Sequence, residues 1–153
     1  MPAEWEPHEA TWLAWPHEKT DWPGKFAAIP WVYGEIVRHL ARVERVRILV
    51  DDADAEQRAR RILRKSGAGS AAVEFFHHPT NRSWTRDYCP LFLKNRAGEV
   101  AIANWQFNGW AKYGNWQHDN AVTDFLAAKL LMRQWKPGFV LEGGSIDVDG
   151  RGR

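Results

Sequence analysis

The sequence has a single cysteine and no strong excess of charge of either sign. Cys89 is the one cysteine among 153 residues, which excludes an intrachain disulfide and a cysteine-rich zinc site. The 21 basic and 19 acidic side chains give a formal net charge of +2, too even for the basic surface of a nucleic-acid-binding protein. We therefore expect neither a disulfide framework nor a nucleic-acid partner.

Long apolar runs and linker-like stretches are also missing. No run approaches the ~20 apolar residues that span a bilayer, so no membrane partner is expected. The N-terminal residues lack the basic and apolar regions of a signal peptide, and no Gly/Ser-rich or Pro-rich linker divides the chain. The sequence predicts a cytoplasmic protein organised as one domain over residues 1–153.

Tryptophan, by contrast, is abundant, with ten indoles in the chain. A core of this size accommodates a few of them, and each buried indole N–H requires a hydrogen-bond acceptor. We expect some of these tryptophans to line a solvent-filled cleft.

Strand and helix patterns alternate through the first half of the chain. Apolar or β-branched runs predict strands, and apolar residues three and four apart predict helices. In chain order the predicted elements are strand 12–15, helix 26–40, strand 45–50, helix 52–65 and strand 72–77. Asp52 or Asp54 is expected to cap the second helix. This alternation indicates an α/β fold.

The second half predicts a hairpin, a helix and a further strand pair. The elements are strand 88–93, strand 100–107, helix 119–135, strand 139–141 and strand 146–149. Asp119 is expected to cap the helix. An Asp149-Gly150 turn predicts a returning strand for which only residues 151–153 remain. We therefore expect the sequence to be interrupted within a hairpin.

Two carboxylates stand beside these predicted strands, Asp87 at the start of the hairpin and Glu142 after residues 139–141. A guanidinium is planar and presents N–H donors on several edges, so two carboxylates on different edges fix its orientation. The pair predicts a site for a guanidinium cation. In the alternative, Asp87 pairs with Arg86 or caps a turn, and Glu142 ends a strand at the surface.

The remaining reactive side chains do not suggest another site. Cys89 lies in an apolar run beside Pro90 with no positioned base, so we expect a buried, inert thiol. His77 and His78 would point to opposite faces of a strand, so no metal site and no cofactor are predicted. The basic residues 58–65 are expected to form a solvated helix face.

Five motifs then occur in order along nearly the whole chain. They are Pro2-Ala3-Glu4-Trp5-Glu6-Pro7-His8, the run 12–16, Trp84-Thr85-Arg86-Asp87, Asn104-Trp105-Gln106-Phe107-Asn108-Gly109-Trp110, and the run from Leu141-Glu142-Gly143-Gly144 to Gly150. Together they resemble the agmatine deiminase and bacterial peptidyl-arginine deiminase family. The resemblance implies a partial pentein-type α/β propeller, about the first half of five ββαβ modules.

The resemblance also implies a reaction and roles for residues. The expected enzyme is a hydrolase that converts agmatine and water to N-carbamoylputrescine and ammonia in putrescine biosynthesis, with Asp87 and Glu142 binding the substrate guanidinium. In the family a His-x-Asp motif and a C-terminal cysteine break the bond, and this sequence contains neither motif.

Five further residues are candidate substrate contacts. Tryptophans can enclose the methylenes of agmatine and hold its second cation through cation–π contact. The candidates are Trp15, Trp84, Arg86, Trp110 and Trp116.

The sequence departs from the family pattern at two positions and leaves alternatives open. Cys89 stands where the family usually has glycine, and Arg82 where many members have an acid. The alternatives are peptidyl-arginine deimination, a non-catalytic fragment that binds cationic ligands, and an aromatic platform for sugars. We expect exposed strand edges to associate with a second copy of the chain or with a missing C-terminal half.

Overall fold

The computed structural model describes residues 1–69 and 71–151. They form two compact units, His8–Trp84 and Met1–Pro7 with the residues from Thr85 onward. Each unit combines a three-stranded sheet with helices, so the predicted α/β class is confirmed. The single domain over residues 1–153 stays a prediction.

The His8–Trp84 unit is built on a parallel sheet. Its elements are β1 (Ala10–Ala14), α1 (Ile29–Leu40), β2 (Arg45–Val50), α2 (Ala53–Lys65) and β3 (Val73–His77), with 3₁₀ turns at Lys19–Asp21 and Phe26–Ala28. The strand order is β1-β2-β3. The predicted alternation of strands and helices is confirmed here. The helix expected from residue 26 begins at Ile29, with Pro30 in its first turn, where a missing N–H costs nothing.

Apolar side chains of β2 form the centre of this unit's core. The buried cluster includes Val37, Val46, Ile48, Val50, Ala59 and Leu63. The helices α1 and α2 approach closely at Gly34, where a Cβ would overlap the Ser66 Oγ. Asp52 caps α2 as predicted, because its Oδ1 accepts the Ala55 N–H at 2.8 Å.

The second unit has a mixed sheet. Its elements are α3 (Thr85–Tyr88), β4 (Leu91–Lys94), β5 (Val100–Ala103), α4 (Gln117–Lys129) and β6 (Gln134–Trp135), with 3₁₀ turns at Gly109–Ala111 and Gly143–Ser145. β5 pairs antiparallel with β4 and parallel with β6. The predicted hairpin is confirmed, and Asn95 Oδ1 closes its turn by accepting the Ala97 and Glu99 N–H groups, each at 2.9 Å.

The helix of this unit differs from its prediction at both ends. Trp116 occupies the N-cap position, and Asp119 lies buried inside the first turn, so the prediction of Asp119 as the cap is wrong. The helix ends at Lys129 rather than near Trp135. Leu131 has a φ of 53°, which stops the helix, and the chain then pairs with β5 as β6.

The two strands predicted near the C-terminus are also wrong. Residues 139–141 contribute only an isolated parallel bridge between Val140 and Gln106, and residues 146–149 form no strand. The latter segment is held by other contacts, since the Ile146 carbonyl accepts a hydrogen bond from Arg86 Nη2 at 3.2 Å. Of the predicted returning strand, residues 152 and 153 lie outside the described residues.

Within residues 1–69 and 71–151, none of the helices has the length and apolar character needed to cross a bilayer.

The end of α4 predicts a stabilising substitution. The Met132 N–H bonds to the Ala127 carbonyl and the Leu131 N–H to that of Ala128, which is a Schellman ending with leucine in the position that favours glycine. Leu131 is 92% exposed and loses no packing when truncated. Leu131→Gly should raise the free energy of unfolding by about 1 kcal/mol, measured by urea denaturation. Leu131→Ala is the control, and equal stability of the two variants would contradict the backbone argument.

Candidate functional site

Asp87 lies on the helical turn α3, so the prediction that it starts a strand is wrong. The Cys89 N–H bonds to the Thr85 carbonyl at 2.9 Å and closes the turn. Pro90 has no N–H to continue a ladder, and β4 therefore begins at Leu91. The short helix aims the Asp87 side chain toward the 3₁₀ turn at Gly143–Ser145.

Two N–H donors hold the Asp87 carboxylate. The Gly144 backbone N–H donates to Oδ1 at 3.0 Å, and the Trp110 indole Nε1–H donates to Oδ2 at 3.2 Å. An ionised carboxylate offers about four lone-pair sites. The two bonds therefore fix its orientation and leave acceptor capacity for a ligand.

The glycine pair at 143 and 144 is required by close packing against α3. A Cβ on Gly143 would overlap the Arg86 carbonyl oxygen, and a Cβ on Gly144 would overlap Asp87 Oδ1. The Gly-Gly bend therefore brings a backbone N–H to the carboxylate where a side chain would displace it.

Arg86 has partners of its own. Its guanidinium forms an ion pair with Glu4, and Nη2 also donates to the Ile146 carbonyl at 3.2 Å. The alternative in which Asp87 pairs with Arg86 is therefore not what the structure shows. Arg86 ties the N-terminal segment and residue 146 to α3, and its contact with substrate stays a prediction.

Trp110 lies in a strained turn. Gly109, Trp110 and Ala111 have φ angles of 66°, 59° and 52°, all in the left-handed region. For residues other than glycine this conformation costs roughly 1–2 kcal/mol each. The Asn108 Oδ1 supports the turn by accepting the Ala111 N–H at 3.0 Å. Such strain persists where surrounding contacts impose it, often at functional positions.

Aromatic rings pack against the Trp110 side chain. Its ring packs edge-to-face with Phe107 at 4.9 Å and with Tyr113 at 5.9 Å between ring centroids. Trp116 packs over the same turn, where a Cβ on Gly109 would lie 3.2 Å from the Trp116 Cβ. Two predicted tryptophans, Trp110 and Trp116, thus share the loop beside Asp87.

Glu142 begins the 3₁₀ turn that supplies the Gly144 N–H. Its backbone is extended, and its carbonyl accepts the Ser145 N–H at 2.9 Å and the Ser145 Oγ–H at 2.6 Å. The carboxylate is half-buried and makes no hydrogen bond or ion pair with residues 1–69 and 71–151. Glu142 therefore lies two residues from Gly144 with its carboxylate unengaged.

The other two predicted tryptophans belong to the His8–Trp84 unit. Trp15 is buried and packs edge-to-face with Tyr33 at a centroid distance of 6.1 Å. Trp84 is 41% exposed and lies 5.5 Å from the Trp22 ring centroid. The roles of Trp15 and Trp84 in substrate binding stay predictions.

Cys89 is partly buried, where the sequence predicts a buried residue. Burial raises the pKa of its thiol well above the usual range, and the nearby Asp119 carboxylate raises that pKa further. The thiol therefore stays protonated near neutral pH, which is the wrong state for a nucleophile.

We predict that Cys89 reacts slowly in the folded protein. At mildly alkaline pH, Ellman's reagent should label native Cys89 at least ~100-fold more slowly than the denatured chain, because the raised pKa suppresses the thiolate. The control is Cys89→Ser, which should give no signal. Fast labelling of the native protein would show an accessible thiolate.

Sequence reasoning missed several residues that support the site and its surroundings. The Asn120 Oδ1 accepts the Phe107 N–H at 2.7 Å, and Asn108 caps the strained turn. An Asn-Gly pair at 108–109 is a turn signal that could have located this cap. Arg82, where many family members have an acid, forms a buried ion pair with Asp21.

No group of three or more His, Cys, Asp or Glu side chains among the described residues is placed to hold a metal.

Comparisons with known proteins point to one family. The sequence matches the family of Porphyromonas-type peptidyl-arginine deiminases over residues 1–153. It is 34% identical to an agmatine deiminase of Ectopseudomonas mendocina over 158 residues, covering 99% of this chain and 41% of the relative. An agmatine deiminase of Pseudomonas fluorescens is also 34% identical, over 160 residues with the same coverage.

Solved structures of agmatine deiminases also resemble this chain. The agmatine deiminase of Enterococcus faecalis superposes with a TM-score of 0.85 at 27% identity, covering 98% of this chain and 41% of that one. The substrate-bound agmatine deiminase of C. jejuni superposes with a TM-score of 0.83 at 30% identity, covering 98% and 43%. This chain thus spans about two fifths of the length of these relatives.

Proposed function

The chain belongs to the Porphyromonas-type peptidyl-arginine deiminase family, and on that premise we propose that it provides the guanidinium-binding part of an agmatine deiminase-like hydrolase. The reaction is agmatine plus water to N-carbamoylputrescine plus ammonia, a step of cytoplasmic putrescine synthesis. The similarity to agmatine deiminases along nearly the whole chain supports this substrate. The observation that carries the proposal is the Asp87 carboxylate, oriented by two N–H donors with acceptor capacity to spare.

Asp87 binds one edge of the substrate guanidinium in this proposal. Gly144 and Trp110 each use one of its roughly four lone-pair sites, and the remaining sites suit two parallel N–H···O bonds from a planar guanidinium. Because the carboxylate is already oriented, little side-chain entropy is lost on binding.

Glu142 binds a second edge. Its carboxylate has no partner among the described residues, which suits a group whose partner is the ligand. It belongs to the same turn that holds Asp87 through Gly144. Two carboxylates balance the charge of the guanidinium and of a second cation better than one does.

The aromatic loop receives the rest of the substrate. Trp110 presents a ring beside Asp87, and Trp116 covers the same turn. We assign these two rings to the methylenes and the far ammonium of agmatine, through apolar and cation–π contact.

Bond cleavage is assigned to groups that this sequence does not contain. In the family mechanism a thiolate attacks the guanidinium carbon, ammonia leaves with a proton from a histidine, and water releases the product. Cys89 does not fit that nucleophile, because its pKa is raised. We propose that these 153 residues form about the first half of a five-module pentein propeller.

Calorimetric titration with agmatine tests the proposal. Agmatine should bind at least ~10-fold more tightly than putrescine, which has the amine and the methylenes but no guanidinium to form charge-assisted bonds. Equal affinity for the two would overturn the assignment.

Peptidyl-arginine is the alternative substrate, favoured by the name of the matching family. Benzoyl-arginine amide distinguishes the two, since it carries the guanidinium but replaces the far ammonium by a peptide-like end. Tighter binding of this compound than of agmatine would favour peptidyl-arginine deimination. Ammonia release, measured alongside, separates an active enzyme from a binding fragment.

A further inference from the structure

A cleft in the His8–Trp84 unit is lined by neither Asp87 nor Glu142. Its volume is about 430 Å³, within the range of small-molecule sites. Trp15 and Asp51, which follow the C-terminal ends of the parallel strands β1 and β2, lie on its wall. Open α/β sheets bind ligands at this end of their strands.

Part of the cleft lining is apolar, and we call it the apolar wall. It consists of Trp15, Phe26, Pro30 and Ile62. Aromatic and proline rings offer broad surfaces against which a planar ring packs with little loss of entropy. This wall favours a ligand with a flat, apolar body.

The lining of the cleft also includes two arginines of α2. Arg58 and Arg61 lie three residues apart on α2, and both line the cleft and are exposed. Neither guanidinium makes an ion pair or hydrogen bond with the described part of the chain, whereas Arg60 between them bonds to Glu56 at 2.6 Å. Two adjacent guanidiniums attract a phosphate or carboxylate and repel a cation such as agmatine.

Two hydrogen-bond acceptors, Asp51 and His17, also line the cleft. One Asp51 oxygen accepts the Thr80 N–H at 3.2 Å, and the other makes no hydrogen bond with the described residues. The His17 Nδ1 lies 3.1 Å from the Trp15 carbonyl, which can only accept, so Nδ1 carries the proton and Nε2 is left as an acceptor when the ring is neutral. Hydroxyl or N–H groups on the ligand would satisfy these acceptors.

We propose that this cleft binds a nucleoside monophosphate, with its base on the apolar wall, its phosphate on Arg58 and Arg61, and its ribose hydroxyls at Asp51. The flat base matches the apolar wall, the anionic phosphate matches the two arginines, and the ribose hydroxyls match the Asp51 acceptor. The cleft shares no lining residue with the groups that hold the Asp87 carboxylate, and an anionic ligand there would differ from the cationic substrate of the proposed function.

Calorimetric titration with AMP at low ionic strength tests the site. Arg58→Ala and Arg61→Ala should each weaken AMP binding at least about 10-fold, the loss expected for one charge-assisted contact. Arg64→Ala is the matched control, because Arg64 is exposed on the same helix but does not line this cleft. An equal loss in all three variants would indicate nonspecific attraction and overturn the proposal.

Truncated ligands separate the contribution of the phosphate from that of the ring. Adenosine lacks the phosphate and inorganic phosphate lacks the ring, so each should bind at least about 10-fold more weakly than AMP. The proposal is overturned if AMP binds no more tightly than adenosine. It is also overturned if the cleft binds indole-3-acetate in a manner that depends on Arg58 but does not bind AMP. Asp87→Asn should leave AMP affinity unchanged, so the result does not depend on whether agmatine is the substrate.

Discussion

Asp87→Asn is expected to weaken agmatine binding by at least about 100-fold, the scale of removing one partner from a desolvated, hydrogen-bonded charge pair. Asparagine has nearly the same shape but carries no charge. Its amide NH₂ would also face either the Gly144 N–H or the Trp110 indole N–H, both of which are donors. The substitution therefore removes the charge attraction to the guanidinium and also disturbs the orientation of the side chain at position 87.

The measurement is calorimetric titration of agmatine, with ammonia release wherever turnover is detectable. Asp147→Asn is the matched control, since Asp147 is an exposed carboxylate five residues beyond Glu142 that bonds to the neighbouring Val148 N–H. It should bind agmatine normally. A folded Asp87→Asn protein that binds agmatine as well as the parent would remove Asp87 from the site.

Gly144→Ala is expected to lower agmatine affinity at least about 10-fold, because the new methyl group would occupy the position of Asp87 Oδ1. The carboxylate would have to turn away from its two donors. Gly143→Ala should act differently, because its methyl group meets the rigid Arg86 carbonyl. We expect that variant to lose about 1–3 kcal/mol of unfolding free energy, as for other overpacked positions.

Gly114→Ala provides the matched control in the same unit. Nothing lies within 4 Å of a Cβ built at Gly114, so its stability and agmatine affinity should match the parent protein. Thermal unfolding and calorimetry together separate the three variants. If Gly144→Ala behaves like Gly114→Ala, the Gly144 N–H does not position Asp87.

Elements with strong local signals were predictable from the sequence. The β-branched run of β2 and the Asp52 cap of α2 occur where local propensity places them. The Asn95 turn likewise follows from the short-range bonds of one side chain. In each case the interactions that decide the structure lie within a few residues of each other.

Elements that depend on distant partners were not predictable. The sequence predicts that the helix continues to Trp135, yet Gln134–Trp135 pairs with β5 after the helix has stopped at the positive φ of Leu131. Residues 146–149 alternate like a strand, but Arg86 binds the Ile146 carbonyl instead. A local pattern carries no information about which distant group is available to satisfy a backbone carbonyl.

The sequence by itself determined the α/β class, the family and the two candidate carboxylates, because motif order and residue chemistry do not depend on coordinates. Only the tertiary structure decided how Asp87 is held. Gly144 is 57 residues from Asp87 and Trp110 is 23 residues away, yet the Gly144 backbone N–H and the Trp110 indole N–H both reach the carboxylate. The close approach at Gly144 arises from packing between distant segments, which the order of residues does not reveal.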